Sequence, residues 1–300
     1  MERLYLLFIK LRFRYLANLL YSSRMSYVRQ QWYCYNWLKK RISWKDETWE
    51  FDDVFNNGVE INNTIFVYWK QGWDKVPSIV QKCSDSIKKN NGNHPVVFLD
   101  ESNLDDYIRF PKHIVEYHQK GIMKEAHFSD ILRISLLYKY GGIWCDATCM
   151  LTEPIPDYIW NEKMFMFQKT LLPEWSSPIK GSNWFIASHQ NNLLLSSIRN
   201  ILFTYYSKKK EIINYYIFHL ILAVLVDNDS ECASLWNDMP YISNMNPHIL
   251  QYSFEKKYNK EIFDRITNQC FIHKLTYKYK EALLNDKSNI LNYLLNNNLD

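Results

Sequence analysis

Residues 127–148, HFSDILRISLLYKYGGIWCDAT, decide how this chain folds. Ile131, Leu132, Ile134, Leu136 and Leu137 leave almost no polar face, which is the pattern of a helix buried on nearly every side. Asp130 and Arg133 interrupt that pattern three positions apart, on the same helical face. Buried ions cost several kcal/mol unless they pair or meet a ligand, so the two side chains must hold each other or hold something else. Gly141 and Gly142 stop the helix. IWCDATCML follows as a strand, with Asp146 near its carboxyl end, where open α/β sheets place their ligands.

Working outward, TIFVYW (64–69) reads as a short buried strand. Pro77 opens a helix in which Ile79, Val80, Cys83 and Ile87 keep helical spacing until NNGNHP stops it. VVFLD (96–100) is the next strand, so strand, helix and strand form the unit of a parallel sheet. A helix is expected from Leu104 to Lys120, closing at Gly121. MFMFQ (164–168) and WFIAS (184–188) read as further strands, residues 191–226 as two helices, and the tail from about 278 as helical with a frayed NNNLD end. The class is α/β, a mixed sheet flanked by helices. Residues 61–300 form one domain, and residues 1–60 a helical extension.

The net charge of +4 is mild but uneven. Residues 1–45 carry ten Lys or Arg against the single acid Glu2, so the rest of the chain is net negative. Leu4, Leu7, Phe8, Leu11 and Tyr15 share one helical face, with Arg3, Lys10 and Arg14 opposite. This is the pattern of an amphipathic helix on an anionic membrane surface, or of a core helix with a solvated back. No nucleic-acid module accompanies the charge. Lys10, Arg12 and Arg14 exclude a secretory signal, and YYIFHLILAVLV is too short to span a bilayer. The six cysteines lack a disulfide framework and read as reduced, mostly buried thiols. Cys145 and Cys149 flank Asp146, but no second ligand pair makes them a zinc site.

Two carboxylates and an Arg at strand ends suit a ligand that combines hydroxyls with phosphate, because carboxylates accept hydroxyl protons and guanidinium grips oxyanions. FIHKLTYK adds His273, able to ligate a divalent ion, and Lys274, able to neutralise a diphosphate. Each has a plainer alternative. Asp130 with Arg133 can be an internal ion pair, a lone DxT occurs by chance, His273 can be structural, and His219 reads as a hydrogen-bonded core residue.

The series AHFSDILRISLLYKYGGIWCDAT, IFVYWKQGWDKVPSIVQKCSDSIKK, VVFLDESNLDDYI, WFIAS, MPYISNMNPHILQ and IHKLTYK resembles the capsular polysaccharide synthesis proteins, close to glycosyltransferase family 32, and less closely the clostridial toxin glucosyltransferases. The likeness runs in order over roughly residues 64–280 and leaves out the first sixty. It implies a GT-A-like, Rossmann-type fold and retaining transfer of a sugar from a nucleotide-sugar donor, a UDP-sugar, to an oligosaccharide or lipid-linked glycan of a capsule or surface polysaccharide.

Under that resemblance Tyr68 and Trp69 stand where an aromatic stacks on the nucleotide base. Asp130 and Arg133 match positions that hold the donor sugar. Asp146 matches the first acid of a DxD motif at the ribose and metal-bound diphosphate, and His273 and Lys274 stand where a carboxyl-terminal segment closes over the diphosphate. The expected cofactor is Mn2+ or Mg2+ on Asp146 and His273. Thr148 departs from the motif, since the second acid, normally the direct metal ligand, is missing, and fewer carboxylates weaken hard-cation binding. The expected setting is the cytoplasmic face of the membrane. The competing reading is a non-catalytic saccharide-binding scaffold with a degenerate DxD motif.

Overall fold

The computed structural model describes residues 23–49, 61–169, 177–209 and 211–297. In chain order its helices are α1 Ser23–Lys39, α2 Ser78–Lys89, α3 Lys112–Gln119, α4 Glu125–Tyr140, α5 Asp157–Asn161, α6 Leu193–Lys208, α7 Ile217–Asn228, α8 Ser230–Asn237, α9 Asn246–Tyr252, α10 Lys260–Thr267, α11 Ala282–Asn285 and α12 Ile290–Asn296. Its strands are β1 Ile65–Tyr68, β2 Val96–Leu99, β3 Gly142–Cys145, β4 Cys149–Leu151, β5 Met164–Gln168, β6 Gly181–Ser188 and β7 Ile272–Lys274.

Five strands form one mixed sheet in the order β2-β1-β3-β6-β5. β1 pairs in parallel with both β2 and β3, while β6 runs antiparallel to β3 and β5. The α/β class and helix-flanked mixed sheet expected from the sequence are what the structure shows. The physical cause is visible in β1. All four of its residues are buried, as a central parallel strand requires. Alternation then divides them: Phe66 and Tyr68 enter a core with α4, α6 and α7, whereas Ile65 and Val67 enter another with α2 and α12. The sheet is thus the middle layer of three.

Two expectations are corrected. No continuous helix joins Leu104 to Lys120: a 3-10 turn at Leu104–Asp106 is followed by α3. Pro111 bars Phe110 from helical geometry, so the helix can begin only beyond it. IWCDATCML is not one strand either. The chain turns after Cys145, with the Cys149 N–H donating to the Asp146 carbonyl at 2.8 Å. β4 then leaves the main sheet to pair antiparallel with β7.

Described residues on the amino-terminal side of residue 60 pack against those beyond it. Cys34, Tyr35, Trp37 and Leu38 of α1 lie in the same core as α4, α6 and α7. The Tyr35 hydroxyl donates to Asp227 at 2.9 Å, and the Trp49 indole donates to Thr204 at 3.3 Å. The amphipathic face of Leu4, Leu7, Phe8, Leu11 and Tyr15, like the NNNLD end, falls largely or wholly outside the described residues. No described helix is long and apolar enough to cross a membrane.

Candidate functional site

Asp146 is set in place by the sheet. Its N–H donates to the Trp184 carbonyl at 2.8 Å, extending the β3–β6 pairing by one residue and fixing the carboxylate beyond the end of β3. Two residues earlier on the same strand face, the Trp144 indole donates to Asp146 Oδ1 at 2.8 Å. Arg133 Nη2 stands 3.4 Å from the same oxygen, and Arg133 Nη1 stands 3.2 Å from Asp130 Oδ1. The guanidinium is held by the Ser129 carbonyl (3.1 Å), the Ser129 hydroxyl (2.9 Å) and the Asn183 carbonyl (2.8 Å), while the Asn183 amide donates to Asp130 at 2.7 Å. Asp130 and Arg133 are therefore an internal ion pair, and one that also reaches Asp146.

Lys274 arrives from 128 positions away because β4 pairs with β7, Cys149 opposite Lys274, and the Leu275 N–H donates to the Thr148 carbonyl at 2.8 Å. Its ammonium lies 2.8 Å from Asp146 Oδ2 and 2.5 Å from the Thr148 hydroxyl. The structure thus gathers Asp130, Arg133, Asp146 and Lys274 into one chain of charge at the carboxyl end of β3.

His273 is not brought there. Neighbouring residues of a strand face opposite ways, so with Lys274 in the cleft His273 points inward. Its ring is fully buried, with Nε2 3.3 Å from the Thr267 carbonyl. Burial depresses the imidazole to about 4 against the opposing pull of the Thr267 and Cys270 carbonyls. The expected pairing of His273 with Asp146 on a metal ion is not met. Nor do Cys145 and Cys149 supply ligands, because both are fully buried, and burial holds the Cys145 thiol well above its ordinary range. Among the described residues no group of three or more His, Cys, Asp or Glu side chains could hold a metal ion. Both Asp146 oxygens are already engaged by cations and an indole, so the donor set does not fit a protein-held divalent cation.

Burial alone would raise the Asp146 carboxyl, but Lys274 and Arg133 outweigh it and keep it below the usual carboxylate range. Asp130 goes the other way. Burial, reinforced by the charge of Asp146, pushes it from 3.8 up to about 7, against the opposing effects of Arg133 and Asn183. A carboxyl that resists ionising in the folded chain ionises freely when unfolded. Stability should therefore fall as pH rises from 3.8 to about 7, by up to about 4 kcal/mol. Denaturant titrations across that window should show the fall in the native chain and a flatter profile in Asp130→Asn. Equal slopes would exclude Asp130 as its source.

These residues line a cleft of about 1290 Å³, beyond the usual span of a single small-ligand site and large enough for two substrates. Lys70, Arg133, Lys169, Lys274 and Lys278 line it together with Glu125, Asp130 and Asp146, an excess of cationic over anionic side chains that favours an anionic ligand. Trp69 and Tyr277 also line it, with ring centroids 5.2 Å apart. Tyr68 also lines the cleft, but its ring packs near Phe128 and its hydroxyl donates to Glu125 at 3.0 Å, which leaves Trp69 as the more available stacking face.

Sequence reasoning missed several contributors. Asn183, one residue before WFIAS, ties Asp130 to Arg133, and Trp144 could have been found from its two-residue spacing to Asp146. Tyr27 and Gln31 of α1 line the cleft, with Tyr215 and Tyr216. His219 is not the hydrogen-bonded core residue expected. It borders the cleft, its Nδ1 has no partner, and burial depresses it to about 3.

A helix-flanked mixed sheet with a charged cleft at its parallel strand ends defines an α/β protein. The family model described as capsular polysaccharide synthesis protein matches residues 15–294, and the chain belongs to that family. The match reaches well into the first sixty residues. Among curated proteins it is similar to O-glycosyltransferase braB of Annulohypoxylon truncatum, 26% identical over 113 residues, which are 35% of this chain and 27% of that protein. It is also similar to O-glycosyltransferase PaGT of Phomopsis amygdali, 28% identical over 106 residues, 32% of this chain and 26% of the other. The chain spans about a quarter of the length of these relatives. Among solved structures it resembles the PaToxG glycosyltransferase at 16% identity and a TM-score of 0.41, covering 69% of this chain and 83% of that one.

Proposed function

We propose that the protein is a GT-A-type retaining glycosyltransferase that moves a sugar from a nucleotide-sugar donor, a UDP-sugar, to a glycan acceptor in capsular or surface polysaccharide synthesis. The observation that carries the reading is the junction of Arg133, Asp146 and Lys274 inside a large cleft with a net excess of cationic side chains. Support also comes from the family and from the glycosyltransferase names of the relatives.

In this reading the diphosphate lies at Lys274, the base stacks on Trp69, and Asp130 with Asn183 receives the donor sugar. The bond from the anomeric carbon to the phosphate oxygen breaks, and its electron pair passes to the diphosphate. The acceptor oxygen bonds to the anomeric carbon on the same face, and its proton passes to the departing phosphate oxygen. That route needs no dedicated base, and Lys274 and Arg133 stabilise the charge that develops on the leaving group.

A panel of nucleotide sugars tests the reading. Slow donor hydrolysis or transfer is expected with one of them, lost in Asp146→Ala while the circular dichroism spectrum is kept. Turnover of none would refute it, and oligosaccharide binding without nucleotide binding would favour a saccharide-binding scaffold. Trp69→Ala should weaken nucleotide affinity by about 10- to 100-fold, the cost of losing a base–aromatic stack. Unchanged affinity would put the base elsewhere.

Peripheral attachment to the inner face of the membrane rests on the basic leader. Deleting residues 1–22, which stops short of the α1 side chains in the core, should release the protein from anionic vesicles. Continued binding would refute the attachment.

A further inference from the structure

Residues at the diphosphate end of the cleft leave little for a metal ion to do. Asp146 Oδ1 accepts from Trp144 and faces Arg133, and Oδ2 accepts from Lys274. Thr148, two positions on, is neutral, and its hydroxyl is already 2.5 Å from the Lys274 ammonium. His273 faces the opposite side of its strand, buried against Thr267. Mg2+ and Mn2+ seek oxygen ligands, carboxylates foremost, and a single carboxylate already paired with two cations is a poor beginning. An incoming divalent ion would have to displace Lys274 from Asp146 and settle beside the Arg133 guanidinium, 3.4 Å from the same carboxylate. Like charges at such range repel strongly in a partly desolvated site.

Lys274 meets the requirements the ion would otherwise meet. It is placed by backbone rather than by a mobile loop: Cys149 pairs with Lys274 across β4 and β7, and Leu275 bonds back to Thr148. Its side chain is mostly covered yet lines the cleft, with 17% of its surface exposed. An ammonium has three donors. Asp146 and Thr148 take two of them, and the third is left for an oxyanion in the cleft.

We infer that the Lys274 ammonium is the resident cation of this site: it neutralises the donor diphosphate in the place of a divalent metal ion, so that nucleotide binding and sugar transfer proceed without one. The inference rests on the nucleotide-sugar reading above and narrows it. Asp146 is then the anchor of Lys274, and Thr148 is the group that lets the ammonium sit where an acid would otherwise call for metal.

Calorimetric titration of UDP into the whole protein tests this, in buffer with EDTA and again with Mn2+. Equal affinity in the two buffers, within about threefold, is expected, with Lys274→Met weakening binding by about 10- to 100-fold in both. Lys274→Arg keeps the charge and should retain metal-independent binding, which guards against a loss in Lys274→Met that reflects misfolding alone. Thr148→Asp supplies the missing acid and should make UDP binding strengthen with Mn2+. UDP binding by the native chain that needs Mn2+, or that Lys274→Met leaves intact, would overturn the inference while leaving the nucleotide-sugar reading in place. Failure of UDP and every other nucleoside diphosphate to bind in either buffer would overturn that reading and the inference with it.

Discussion

Arg133→Met should lower the melting temperature by roughly 10 °C and reduce donor turnover by about 10²- to 10³-fold. The stability loss follows from what Arg133 leaves behind. Its guanidinium lies between Asp130, 3.2 Å away, and Asp146, 3.4 Å away, and its own side chain is only 6% exposed. Methionine fills much of the volume but leaves Asp130 and Asp146 without the cation between them, and removing one partner of a buried pair costs about 3–5 kcal/mol. The loss should shrink in acid, because Asp130 is protonated below about 7 and one of the two stranded charges disappears. Adding Asp130→Asn should recover part of the stability for the same reason, so the double variant should lose less than the two single losses combined. Calorimetric melting on either side of neutrality measures all of this. A loss of stability independent of pH, and additive with Asp130→Asn, would mean that Arg133 contributes by packing over the Trp144 ring, 5.2 Å away, rather than by charge. Arg133→Lys should not restore activity, since an ammonium cannot reach Asp130, Asp146, Ser129 and Asn183 together.

How much of this site could be read from the sequence depends on how local each relationship is. Asp130 and Arg133 are joined by helical geometry and Asp146 by a two-glycine turn, so a stretch of about twenty residues predicts their meeting. The apolar run of β1 and the spacing of α2 likewise state their own structure. Lys274 can be read as a diphosphate-neutralising group from its chemistry, but nothing within a few residues of it says that β7 pairs with β4. The period of two in a strand does say, however, that His273 and Lys274 cannot both face the same ligand, and that rule was enough to separate them. Asn183 was unreadable for a different reason. Its amide and its carbonyl serve different partners, Asp130 and Arg133, and only the position of β6 beside β3 brings them together. Composition alone does not tell which residues of a basic segment have a core to join. Cys34, Tyr35, Trp37 and Leu38 join one, with Arg41 lying over the Trp37 ring at 3.7 Å.

Gly142→Ala is expected to be the most damaging alanine substitution among the described glycines. The residue has φ +88°, where an L side chain is strained, and an added Cβ would stand 2.4 Å from the Thr64 carbonyl oxygen and 3.0 Å from the Thr64 nitrogen. Both obstacles are backbone, so no rotamer change relieves them. The strand must move instead. The approach is close because the Ile143 N–H donates to that same Thr64 carbonyl at 2.9 Å, the bond that sets the parallel register of β1 on β3. This register in turn fixes Trp69 and Asp146 at the same end of the sheet. The expected loss is about 4 kcal/mol or more, beyond the range of ordinary substitutions. Gly121→Ala supplies the comparison: its φ is +66°, but nothing lies within 4 Å of the added carbon. It should cost only the left-handed strain, about 1–2 kcal/mol. Denaturant titration of the two variants separates steric exclusion from strain. If they proved equally mild, β1 and β3 would have to be free to part without loss, and the sheet end that gathers the cleft residues would not be the rigid frame described above.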